Sequence, residues 1–143
     1  MFYLAWAVCL GLTALCWRLG GEPERRAAGL LLVAYALSVV LENVRIDGLK
    51  VAVVAVDVLL AIGLVWLALI YRRWWLLVAA ANAILVVIAH ATVFMDPSIH
   101  QRAYIAYRML PGLAIPLAAG FGAWERWLAG EPVNAGWLRM RPA

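Results

Sequence analysis

Val51–Trp66 reads VAVVAVDVLLAIGLVW, fifteen apolar or glycine residues interrupted by one carboxylate, Asp57. Continued to Tyr71, the run matches the ~20 residues that a helix needs to cross the hydrocarbon core of a bilayer. In that medium an unpaired carboxylate near mid-depth costs about 2.5–3.5 kcal/mol even on a lenient insertion scale, so Asp57 requires a partner, water or a proton.

The rest of the chain declares the same medium. Of 143 residues, 67% are apolar and only 14% charged, too little polar surface to coat a water-soluble globule. The expected fold class is all-α: an integral membrane helical bundle occupying 1–128. Five transmembrane helices are predicted, at about 2–17, 27–44, 50–71, 74–95 and 103–124. Residues 129–143 are expected to form a short cytoplasmic tail, amphipathic or disordered. Glu42 and Asn43 shorten the second run, so four crossings plus a re-entrant or short helix is the alternative. The first run has no Lys or Arg before Arg18 and no small-x-small cleavage site, and is expected to be retained as a helix.

Charge sets the predicted orientation. With five crossings one side receives Arg18, Arg25, Arg26, Arg72, Arg73, Arg126, Arg139 and Arg141, and the other receives Arg45, Lys50, Arg102 and Arg108. Eight against four places the N-terminus outside, periplasmic or extracellular, and the C-terminus in the cytoplasm. Trp17, Trp74, Trp75, Trp124 and Trp127 fall at the same predicted cytoplasmic boundary, where indole rings favour the headgroup layer. The layout resembles that of short multi-span proteins of bacterial inner membranes. That resemblance rests on composition and carries no residue roles across. The basic residues are scattered in ones and twos between apolar runs, so they imply a lipid bilayer as partner and no nucleic acid.

Placed by depth, four ionisable residues from four spans converge on the outer half of the membrane. At 1.5 Å per residue Asp57 lies about 12 Å along its helix, His90 about 8 Å and Arg108 about 6 Å from the outer ends of theirs. Glu42 closes the second span on the same side. Arg108 is the expected counter-charge for Asp57, since its donor fork holds a carboxylate at two points. His90 is the second candidate partner. A structural pairing that fixes helix order ranks ahead of a proton, ion or substrate path. Asn82, near mid-depth, is read as interhelical glue.

Small residues four apart predict close helix contacts: Ala7 with Gly11, Ala34 with Ser38, Ala118 with Gly122, and Gly112, Pro116 and Gly120 in series. Pro111 and Pro116 predict a kinked fifth helix. Gly20-Gly21-Glu22-Pro23 reads as a turn, and the recurrence of Gly-Glu-Pro at residues 130–132 as coincidence. Cys9 and Cys16 are separated by about 10 Å along one helix face and are read as buried thiols.

Catalysis finds little support. There is no nucleophile elbow, no phosphate-cradling glycine loop and no histidine pair at metal-ligand spacing. No catalytic and no metal-binding residue is assigned, and no cofactor is expected. A haem or chlorophyll-type pigment on His90 is the minor alternative. The leading expectation is a small non-catalytic multi-pass protein, free-standing or an accessory subunit of a larger membrane complex. A small oligomeric channel or proton-coupled transporter built on Asp57, His90 and Arg108 is the rival.

Overall fold

A computed structural model of the chain describes residues 2–41, 43, 51–95 and 101–131, with side chains omitted for 2–6, 94 and 101–108. Five helices account for nearly all of it: α1 (Phe2–Leu19), α2 (Glu22–Val40), α3 (Val51–Tyr71), α4 (Trp74–Met95) and α5 (Gln101–Leu128). No strand occurs among the described residues. Two helical stretches, Val51–Tyr71 and Trp74–Val93, are long and apolar enough to cross a membrane.

Helix boundaries follow local chemistry. Helix α2 begins at Glu22, well before its apolar run, because Gly21 is the N-cap and Pro23 sits in the first turn. The Glu24 carboxylate reaches back to accept from the Gly21 N–H at 2.8 Å, which is half of a capping box. The other half needs a side-chain oxygen that glycine does not have. Helix α5 runs unbroken through Pro111 and Pro116. At its end Gly130, with φ +65°, sends its N–H to the Trp127 carbonyl, and the Glu131 N–H bonds to the Arg126 carbonyl. These two bonds form a Schellman motif, which satisfies the last carbonyls and aims Glu131 back over the helix end.

Each helix packs against the next, and α5 returns to α1, so the five close into a ring, with α2 also touching α5 across it. Consecutive helices alternate in direction. The Leu19–Glu22, Tyr71–Trp74 and Leu128–Glu131 junctions therefore share one end, which is rich in arginine. Inside the ring the side chains are small: alanines supply half of the buried apolar residues, among them Ala61 and Ala68 of α3, Ala79, Ala80 and Ala83 of α4, and Ala118, Ala119 and Ala123 of α5. Leu31, Leu64, Trp75 and Leu76 are buried among them, while many other bulky residues point outward, such as Val33, Leu59, Ile62, Leu69, Leu77 and Phe121.

The small residues singled out from spacing divide into two groups. Ala34, Ala118 and Pro116 are buried, and a Cβ on Gly120 would stand 3.2 Å from Leu12 of α1. Ala7 and Gly11 face outward, and a Cβ on Gly11 would meet nothing within 4 Å. Trp75, the second residue of α4, turns inward: it is 1% exposed, whereas Trp17, Trp74, Trp124 and Trp127 are all at least half exposed. The cause is Gly122, on which the Trp75 indole lies so closely that an added Cβ would come within 2.5 Å of it.

Gly122→Leu should therefore displace Trp75 and weaken the α4–α5 seam by about 1–3 kcal/mol, the usual effect of overpacking. Unfolding in detergent, followed by tryptophan emission, checks this. Gly11→Leu, on the outward face, should change stability little in the same assay.

Candidate functional site

The antiparallel register of α3 and α4 brings the seventh residue of α3 beside a residue six from the end of α4. His90 Nε2 lies 2.8 Å from Asp57 Oδ2, with the histidine 4% and the aspartate 13% exposed. At that separation a proton must lie between the two atoms. An ionised aspartate only accepts, so His90 then donates; a protonated Asp57 donates to a neutral ring instead. The pair thus ties two helices together and can hold either one proton or two.

A cavity of about 140 Å³ opens beside Asp57 of this pair. Tyr35 and Ser38 of α2, Asp57 of α3, Ala83 and Val86 of α4, and Gly112 of α5 contribute to its wall. The void exists because Ala83 and Gly112 leave space that larger residues would fill, and it is large enough for several water molecules. Tyr35 stands close enough to Asp57 to feel its charge and within hydrogen-bonding reach of the Cys9 thiol of α1.

The remaining expected site residues are placed as follows. Ser38 lines the cavity and Ala34 lies one turn before it, buried. Asn82 donates to the Val78 carbonyl at 2.8 Å, one turn back on its own helix, so that bond is not the interhelical link expected of it. The backbone of Arg108 belongs to α5, but its side chain lies outside the described residues, as does Glu42. Among the described residues, no group of three or more His, Cys, Asp or Glu side chains could hold a metal ion.

A second polar layer, which sequence reading missed, sits at the arginine-rich end. Glu24 is 1% and Arg126 9% exposed. Arg126 Nε stands 3.6 Å from Glu24 Oε2, too long for a hydrogen bond but close enough for charge attraction. Its Nη2 lies 3.0 Å from Glu131 Oε2, which Arg73 Nη2 also reaches at 3.1 Å. Two carboxylates and two guanidiniums thereby join the start of α2, the end of α5 and the α3–α4 turn. Around them Trp74 Nε1 donates to Glu125 at 2.5 Å, and Arg26 pairs with Glu22 while stacking over Tyr71.

Glycine makes this layer possible. A Cβ on Gly21 would run into the Arg126 guanidinium, and one on Gly20 would strike the Cys16 carbonyl and Glu24. The two Gly-Glu-Pro tripeptides, read as coincidental, thus both contribute to one cluster, through Gly21 and through Glu131. A signal was available: Arg126 follows Gly122 and Ala119 at helical spacing, on the face of α5 that turns inward.

Between the two polar layers, α1 offers Cys9, Thr13 and Cys16 on one buried face. Thr13 Oγ1 donates to the Cys9 carbonyl at 2.7 Å, and Cys16 lies near the Glu24 carboxylate.

Arg126→Leu should strand Glu24 as a buried unpaired charge and cost about 3–5 kcal/mol. Combining it with Glu24→Leu should restore most of that loss, because the double variant removes the stranded charge. Equal destabilisation by the single and double variants in detergent unfolding would refute the pairing.

Comparison with family models, curated proteins and solved structures returned no match for this chain.

Proposed function

We propose that the chain is a small non-catalytic multi-pass protein of a cell inner membrane, free-standing or an accessory subunit packed against a larger membrane complex. It crosses the bilayer five times, with its N-terminus outside and its C-terminus in the cytoplasm. The observation that carries this reading is the outer surface of the bundle, where bulky aliphatic side chains are exposed on every helix around an interior that is half alanine. In water such a surface would be a single large sticky patch, whereas in lipid it is neutral. Exposed Trp17, Trp74, Trp124 and Trp127 cluster with the arginines at one end, as at a membrane–cytoplasm boundary. In this reading Asp57 and His90 act as a clamp that fixes the order of α3 and α4.

One observation favours a second reading, a small oligomeric channel or proton-coupled transporter: the cavity beside Asp57, with Tyr35 and Ser38 in its wall. There Asp57 and His90 would exchange protons with the cavity, and Arg108 would supply the counter-charge. A pigment or haem axial ligand on His90 gains less, because its Nε2 is already engaged by Asp57.

Topology reporters fused at each terminus test the crossing number. The N-terminal fusion should report only outside and the C-terminal fusion only inside; both on one face would overturn five crossings. For the clamp, Asp57→Leu with His90→Leu should assemble nearly as well as the parent, while Asp57→Leu alone should lose about 1–3 kcal/mol by leaving the ring without its partner. A proton flux in liposomes abolished by Asp57→Asn would replace the clamp with the transporter. Co-purification in mild detergent separates a free protein from a subunit.

A further inference from the structure

The outer wall of the bundle between α3 and α4 carries a groove of about 380 Å³ formed by Ala61, Ile62, Val65, Trp66, Leu69 and Ile84. Ala61 supplies the depth, while Trp66 and Leu69, 65% and 71% exposed, form raised edges. The lining side chains are all apolar. Above it the chain turns from α3 into α4 through Arg72, which has φ +49°. A residue other than glycine in that left-handed region costs roughly 1–2 kcal/mol, so Arg72 occupies this turn against its backbone preference.

The arginines at this end differ in their partners. Arg25 donates to the Trp17 carbonyl, Arg26 to Glu22, Arg73 to Glu131, and Arg126 lies between Glu24 and Glu131. Arg72 is exposed and has no acidic partner among the described residues. It is also the arginine that continues directly from a helix walling the groove. At 1.5 Å per residue, Leu69 lies about 4.5 Å and Ile62 about 15 Å along the axis from Arg72. That interval is the depth of one acyl leaflet, about half of a ~30 Å hydrocarbon core.

From this juxtaposition of an unneutralised cation and an apolar trough that together span one leaflet, we infer that the groove is a binding site for an anionic phospholipid, its acyl chain along Ile62, Val65 and Leu69 and its phosphate on Arg72. The inference rests on the membrane placement proposed above. Apolar area alone would hold any lipid, since acyl chains are interchangeable there. Arg72 adds headgroup discrimination, because a basic residue near the surface contributes roughly a fivefold preference for an anionic lipid.

The test reconstitutes the full chain in vesicles containing phosphatidylglycerol or phosphatidylcholine with brominated acyl chains. The quenching read is the Trp66 component, taken as the difference between the parent and Trp66→Phe. Brominated phosphatidylglycerol should occupy the groove about fivefold better than brominated phosphatidylcholine. Arg72→Gln should bring the ratio close to one while Trp66 remains quenchable, and Arg18→Gln, on the far side of the ring, should leave it unchanged. A parent ratio near one, a ratio surviving Arg72→Gln, or equal loss on Arg18→Gln would overturn the site while leaving the membrane placement standing. Trp66 unquenched by either lipid would overturn the placement and the site together.

Discussion

The close approach of helix backbones governs this structure. Alanine and glycine at the inner positions let α3, α4 and α5 lie against one another, and every larger group inside the ring depends on the space that remains. Trp75 is buried because Gly122 has no side chain; Glu24 and Arg126 meet because Gly21 has none. The Asp57 cavity is the converse case, a place where Ala83 and Gly112 leave volume that no neighbour fills. Close packing is thus satisfied along most of the seam and relaxed beside the part-buried Asp57 carboxylate.

This division of sizes has an energetic reason under the membrane placement proposed here. Burying a large aliphatic chain gains little when the surrounding solvent is itself hydrocarbon, so contact between backbones and matched polar pairs must hold the helices together. The bundle supplies both: an alanine-rich seam along α3, α4 and α5, and polar pairs at two levels. One level joins α3 to α4 through Asp57 and His90. The other joins three helix ends through Glu24, Arg126, Glu131 and Arg73. Each charged group in the second level has an opposite charge within reach, which offsets the penalty of taking it out of water.

Much of the helical layout was legible in the sequence, because apolar runs and the charges between them are local properties. The third and fourth helices match the predicted 50–71 and 74–95 to within one residue. The start of α2 was not legible from hydropathy, since its first turn is polar and its boundary is set by Gly21, Pro23 and Glu24. Depth counting alone put Asp57 and His90 at similar levels, but not face to face. The arginine-rich cluster escaped because its members come from distant parts of the chain, Glu24 and Arg126 more than a hundred residues apart, and charges beside a predicted boundary read as solvated.

What the sequence determined by itself was the number and type of elements, since helix-forming apolar runs of this length have few other ways to satisfy their backbone polar groups. It also fixed which end of each helix carries the arginines. Only the tertiary structure decided which side of each helix faces inward: that Trp75 and Arg126 are buried while Ala7 and Gly11 are not, and that Asp57 meets His90. Rotation of a helix about its own axis leaves its hydropathy unchanged, and in a bundle that is apolar inside and out it is decided by the fit of neighbouring side chains, which no single stretch of chain encodes.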